Sequence, residues 1–113
     1  MKQREIWLVN LEPTIGAEIR KTRPCVILND DSIGILPLKV VAPITDFKDK
    51  YKEVPWMVIL VMDNLNSLDK DSVIDVFQVR AVSEERLIKR IGVISTDDLN
   101  KALNALKSVF GMG

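Results

Sequence analysis

The chain has no histidine, one cysteine and no excess of charge of either sign. The missing histidines remove the commonest metal ligand and the side chain best suited to moving protons near neutral pH. They exclude a Ser-His-Asp triad and any two-histidine acid–base pair. A lone Cys25 excludes an internal disulfide and a multi-cysteine zinc site. Lys and Arg number 16, as do Asp and Glu, so the formal net charge is zero. That rules out a bulk polycation, and any anion binding must come from a local cluster. No apolar run approaches the ~20 residues of a membrane-spanning helix. The longest, such as Met57 to Met62, are strand-sized. No secretory leader is legible, and a soluble, cytoplasmic protein without metal or cofactor is expected.

What is present is aliphatic. Val, Ile and Leu supply 37 of the 113 residues, ample for one core and one domain spanning residues 1–113. Strand formers cluster in short runs: residues 4–11, 24–28, 35–41, 54–61, 72–81 and 89–94. Pro13 and Gly16 break the chain after the first run, and a polar loop carries Glu18, Arg20 and Lys21 up to Arg23. Pro37 interrupts the third run, and Ala42-Pro43-Ile44-Thr45 closes it. In the fifth, Val73, Asp75, Phe77, Val79 and Ala81 would share one face of a continuous strand. Ser83 caps a short helical turn.

Residues 95–110 form the clearest helix. Ser95 or Thr96 caps it, Asp97 and Asp98 suit its first turn, and Gly111 stops it. Leu99, Ala102, Leu103, Leu106, Val109 and Phe110 make one apolar stripe. Six short strands followed by a helix predict a partly barrel-like antiparallel sheet with the helix packed on it.

The segment from Glu5 through Glu12-Pro13-Thr14-Ile15-Gly16-Ala17-Glu18, then Lys21-Thr22-Arg23-Pro24, resembles the opening of the MazF/PemK (Kid) toxins of toxin–antitoxin modules. The likeness continues at Ala42-Pro43-Ile44-Thr45, at Asp71-Ser72-Val73-Ile74 and at Gln78-Val79-Arg80-Ala81-Val82. It implies a mainly β fold with a C-terminal helix, the small SH3-like barrel shared by MazF, CcdB and Kid. It also implies a homodimer and a cognate antitoxin whose acidic, disordered tail covers the basic loop. The implied activity is metal-independent, sequence-specific cleavage of single-stranded RNA. In that chemistry the 2′-hydroxyl attacks the adjacent phosphorus, leaving a 2′,3′-cyclic phosphate and a 5′-hydroxyl.

The resemblance assigns catalysis to Arg23 and Thr45, with Glu18 in the same loop. A guanidinium grips two phosphoryl oxygens at once and stabilises their extra charge. The family likeness also implies a general-acid role for Arg23, against its reluctance to release a proton. A threonine hydroxyl donates from a short, stiff side chain. Glu18 is suited to accept the 2′-hydroxyl proton or to orient Arg23. Arg20, Lys21, Glu5, Trp56, Phe77 and Gln78 are candidate RNA contacts, whereas Trp7 and Cys25 read as core. Phe77 and Asp75 stand where some family members carry an acidic residue and an arginine, and Ala17 where one branch has a histidine. The version of the mechanism built on those residues therefore does not transfer. Two other readings remain: a CcdB-like gyrase poison, echoed by Phe110-Gly111-Met112, and an inactive relative that binds RNA or antitoxin only.

Overall fold

The computed structural model describes residues 1–113. Seven strands appear: β1 (Glu5–Asn10), β2 (Thr22–Ile27), β3 (Leu38–Asp46), β4 (Met57–Leu60), β5 (Ser72–Asp75), β6 (Arg80–Ser83) and β7 (Leu87–Val93). One helix follows, α1 (Thr96–Val109). The strands lie in the order β4-β5-β3-β2-β1-β7, with β6 also on β3, and every pairing is antiparallel. This is the mainly β architecture with a C-terminal helix that the sequence implies.

The long strand β3 organises the sheet. On one side it pairs with β2, Cys25 opposite Pro43 and Ile27 opposite Val41. On its other side it takes two partners in turn, β6 over Leu38–Val41 and β5 over Ile44–Asp46. Pro43 sits where the partner changes. It has no amide proton to give a ladder, so a continuous neighbour would lose a bond there. Opposite the gap the chain leaves the sheet in a 3-10 turn over Val76–Gln78.

This corrects two expectations. The run 72–81 is two strands divided by that turn, so Phe77 turns outward, 61% exposed, while Asp75 is buried. The third strand starts after Pro37 and continues through Pro43 to Asp46, leaving Ile35 and Leu36 exposed in the preceding loop.

Alternation places β2 and β3 in two cores at once. Val26, Ala42 and Ile44 join Ile74, Leu60 and the α1 residues Leu99, Ala102 and Ala105 on one face. Cys25, Ile27 and Val41 join Val9, Leu11, Val82 and Leu87 on the other. Most of the α1 stripe is thus spent inside the chain, with Leu103 and Leu106 packed against the first core, while Phe110 at its end is 64% exposed. Ser95 caps the helix, its Oγ accepting the Asp98 amide at 3.0 Å. At the far end, Gly111 at φ +69° donates to Ser108, and Met112 donates to Lys107. This is the left-handed stop that glycine favours, so the tail that echoes CcdB is accounted for as helix termination.

The β4–β5 connection is fixed against β7 at Gly92. A Cβ there would lie 2.4 Å from the Asn66 carbonyl oxygen, a backbone atom held in place by the buried Asn66 side chain, whose Nδ2 donates to Val61. Overpacking against backbone costs about 1–3 kcal/mol. Gly92→Ala is expected to lower unfolding free energy by about 2 kcal/mol, measured by urea denaturation.

Candidate active site

Continuing the β2–β3 register two residues beyond Cys25 and Pro43 brings Arg23 level with Thr45. Both line one cleft of about 120 Å³, together with Asp46, Asp69, Lys70 and Ser72. Arg23 is exposed at the start of β2, and Thr45 is half-buried near the end of β3. The Arg23 guanidinium spends one donor, Nε, on the Arg20 carbonyl at 3.4 Å. Its remaining donors are free of ion pairs and available to an anion in the cleft.

Lys70 stands across the cleft, held by Asp46 at 3.1 Å. The β3–β5 pairing delivers it, because Asp46 lies opposite Ser72 and the chain before Ser72 carries Asp69 and Lys70. Sequence reasoning missed Lys70, Asp69 and Ser72. Asp69 and Lys70 sit in a polar stretch and Ser72 at the start of the fifth strand run, and only long-range pairing makes them part of a site. Asp69 is the one cleft carboxylate without a cation within salt-bridge distance.

The other sequence candidates scatter. Glu18 turns back on its own loop, where its Oε1 accepts the Ile15 amide at 2.6 Å, and it forms no ion pair with Arg23. Arg20 and Lys21 are exposed on the β1–β2 loop beside Arg23. Gln78 spends its side-chain amide on that loop: Oε1 accepts from Ile19 N at 2.6 Å, and Nε2 donates to Ala17 O at 3.4 Å. Trp56 and Phe77 meet at 5.5 Å, but against the C-terminal part of α1, in a separate cleft of about 290 Å³. Neither lines the Arg23–Thr45 cleft. Trp7 is half-buried and packs on the second core, and Cys25 is buried. Burial pushes the Cys25 thiol up to about 12, against the pull of Arg80, so it stays a thiol.

Glu5 departs furthest from its expected role. It lies on β1 beyond Ile6, which pairs with Val26, whereas Arg23 pairs with Val9 near the strand's other end. Its Oε1 accepts from the Trp7 indole at 2.9 Å and the Lys2 amide at 3.0 Å, and its Oε2 meets Arg90 at 3.3 Å. Burial works to raise its pKa, but the Trp7 and Lys2 hydrogen bonds, the amino terminus and Arg90 together outweigh it and hold the carboxyl down to about 2. Glu5 is an anchor of the N-terminal strand.

Residues 2–110 match the model of the PemK-like, MazF-like toxins of type II toxin–antitoxin systems, and the chain belongs to that family. It is 30% identical to endoribonuclease MazF9 of Mycobacterium tuberculosis, over 95% of this chain and 93% of that protein. It is 33% identical to endoribonuclease MazF of Staphylococcus epidermidis, over 99% of this chain and 92% of the relative. The fold matches the crystal structure of MazF from Deinococcus radiodurans with a TM-score of 0.80, at 22% identity over 99% of this chain and 97% of the other. It also matches MazE–MazF from that organism with a TM-score of 0.74, at 18% identity over 100% of this chain and 97% of the other. No helix is long and apolar enough to cross a membrane.

The Glu5 anchor makes a pH prediction. A carboxyl held below its unfolded value of 4.5 contributes stability that is complete above that value and lost as pH falls toward about 2. Glu5→Gln should therefore flatten the loss of thermal stability across that acid range, in melts recorded by circular dichroism, and lower stability near neutrality.

Proposed function

We propose that this chain is an endoribonuclease toxin that cleaves single-stranded RNA at the Arg23–Thr45 cleft, with no metal. The observation that carries the reading is the arrival of Arg23 and Thr45 in one cleft with the guanidinium free of ion pairs. Arg23 stabilises the charge that develops on the phosphoryl oxygens as the 2′-hydroxyl attacks, and Thr45 donates a second hydrogen bond to them. Lys70 adds positive field at the rim. The 2′-hydroxyl proton needs an acceptor, and two carboxylates are candidates. Asp69 lines the cleft, whereas Glu18 is committed to its own loop, so Asp69 is favoured.

Family membership and the named endoribonuclease relatives support the reaction class. The MazE–MazF fold match supports a cognate antitoxin. An acidic antitoxin segment would cover Arg20, Lys21 and Arg23 as RNA phosphates do. We place the protein in the cytoplasm as a homodimer, where its substrate is messenger RNA, and light scattering of the purified chain reads the oligomeric state.

The test is digestion of a long, mixed-sequence single-stranded RNA in EDTA, with the 5′ ends mapped. Cuts at one short motif leaving 5′-hydroxyls are expected. Removing one preorganised donor to a developing oxyanion costs roughly 10²–10³ in rate, and Arg23→Ala should fall in that range. Thr45→Ala should fall less, and Asp69→Asn should reduce the rate more than Glu18→Gln. Absence of cleavage by the unaltered protein would overturn the reading.

A further inference from the structure

The β1–β2 loop is held at two places, and they differ in kind. Its base is fixed many times over. Arg80 donates to the Leu11 carbonyl at 3.1 Å, and Arg86 donates to the carbonyls of Asn10 and Glu12. The Glu12 carboxylate accepts from the Thr14 hydroxyl at 2.7 Å and the Lys21 amide at 3.1 Å. The distal part, residues 15–20, has far less. Its Ile15–Glu18 hydrogen bonds are internal. From outside the loop only two side chains hydrogen-bond into it: Gln78, to Ala17 and Ile19, and Arg23, to the Arg20 carbonyl.

These two bonds are neighbours in the chain. Gln78 fixes Ile19, the next residue is Arg20, and the Arg20 carbonyl receives Arg23 Nε. We propose that Gln78 is a positioning residue for the reaction: it latches the distal loop, and through the Arg20 carbonyl it aims the Arg23 guanidinium into the cleft.

The sheet supplies the reach. The 3-10 turn at Val76–Gln78, opposite Pro43, lifts Gln78 out of the ladder and toward the loop. The orientation of the amide is set by its partners, because Ile19 offers a donor and Ala17 an acceptor. The buried Asp75 lies three residues before it, and burial raises its pKa against the Phe77 and Gln78 backbone amides and the Gln78 side chain. The Ile19 side chain packs on the second core and adds apolar hold, which directs nothing at Arg23.

The inference rests on the ribonuclease reading above. Its test uses Gln78→Met, which keeps length and apolar contact while removing both hydrogen bonds. Three quantities are read: exchange of the Ile19 amide proton by NMR, the unfolding midpoint, and single-turnover cleavage of the mapped RNA at saturating protein. One lost hydrogen bond corresponds to about tenfold, so Ile19 exchange should rise and the saturated cleavage rate fall by about that factor. The midpoint should fall by no more than about 6 °C, the shift that one such bond makes in a domain of this size. In an Arg23→Lys background, which lacks the Nε contact, the Gln78 substitution should have no further effect on cleavage. Should methionine disturb the turn, Gln78→Asn, one methylene shorter, gives the same readouts. Unchanged Ile19 exchange, full cleavage despite faster exchange, or an undiminished loss in the Arg23→Lys background would each overturn the proposal. A wild-type protein that cuts no RNA would instead overturn the ribonuclease reading, a result visible before any Gln78 variant is made.

Discussion

Pro43 gives the longest strand of the sheet one residue without an amide proton, and much of the molecule is arranged around it. A strand beside that position cannot form an unbroken ladder. The neighbour is accordingly two strands, β5 and β6, joined by a 3-10 turn. The same register that puts Pro43 opposite Cys25 brings Thr45 level with Arg23. The turn presents Phe77 to solvent and Gln78 to the β1–β2 loop. One missing proton thus lies at the centre of both the cleft and the device that holds its loop.

The electrostatics follow from placement rather than from composition. The chain is neutral overall and so is the cleft, where Arg23 and Lys70 are matched by Asp46 and Asp69, yet Arg23 and, on the adjoining loop, Arg20 and Lys21 are cations without an ion-pair partner. Asp46 pairs with Lys70 in a solvent-accessible bridge, which orients the lysine more than it stabilises the fold. A phosphodiester backbone is drawn to such a local cluster, while the balance of charge elsewhere limits unspecific attraction. Backbone rigidity completes the arrangement: β2 and β3 are buried on both faces over residues 25–27 and 41–44, and the two residues offered to substrate extend from the ends of these packed stretches.

The legible parts of this structure were those decided by near neighbours in the chain. The α1 boundaries, its Ser95 cap and its Gly111 stop are local events, and the sequence reading found them within a residue. The first strand and the Pro-Gly loop after it were equally visible. The division of residues 72–81 was not, because the apolar alternation runs straight through it and the cause, Pro43, lies in another strand. Thr45 and Arg23 were named through family likeness, and no spacing in the chain pairs them. Lys70 and Asp69 were invisible because β3–β5 pairing alone delivers them. The anchoring of Glu5 is not legible either, because a carboxylate at a strand entry looks solvated until Arg90 and the Trp7 indole are seen to close on it.

The central claim is that one cleft, made by the β2–β3 register, receives the RNA backbone. The most direct measurement is the NMR footprint of a single-stranded RNA bearing the cleavage sequence, its riboses blocked as 2′-O-methyl so that it binds without reacting. Perturbations are expected to concentrate at the Arg23 Nε proton and the amides of Thr45, Asp46, Lys70 and Ser72, weakening as salt rises. A footprint centred on Trp56, Phe77 and the end of α1, with Arg23 and Thr45 unmoved, would contradict it.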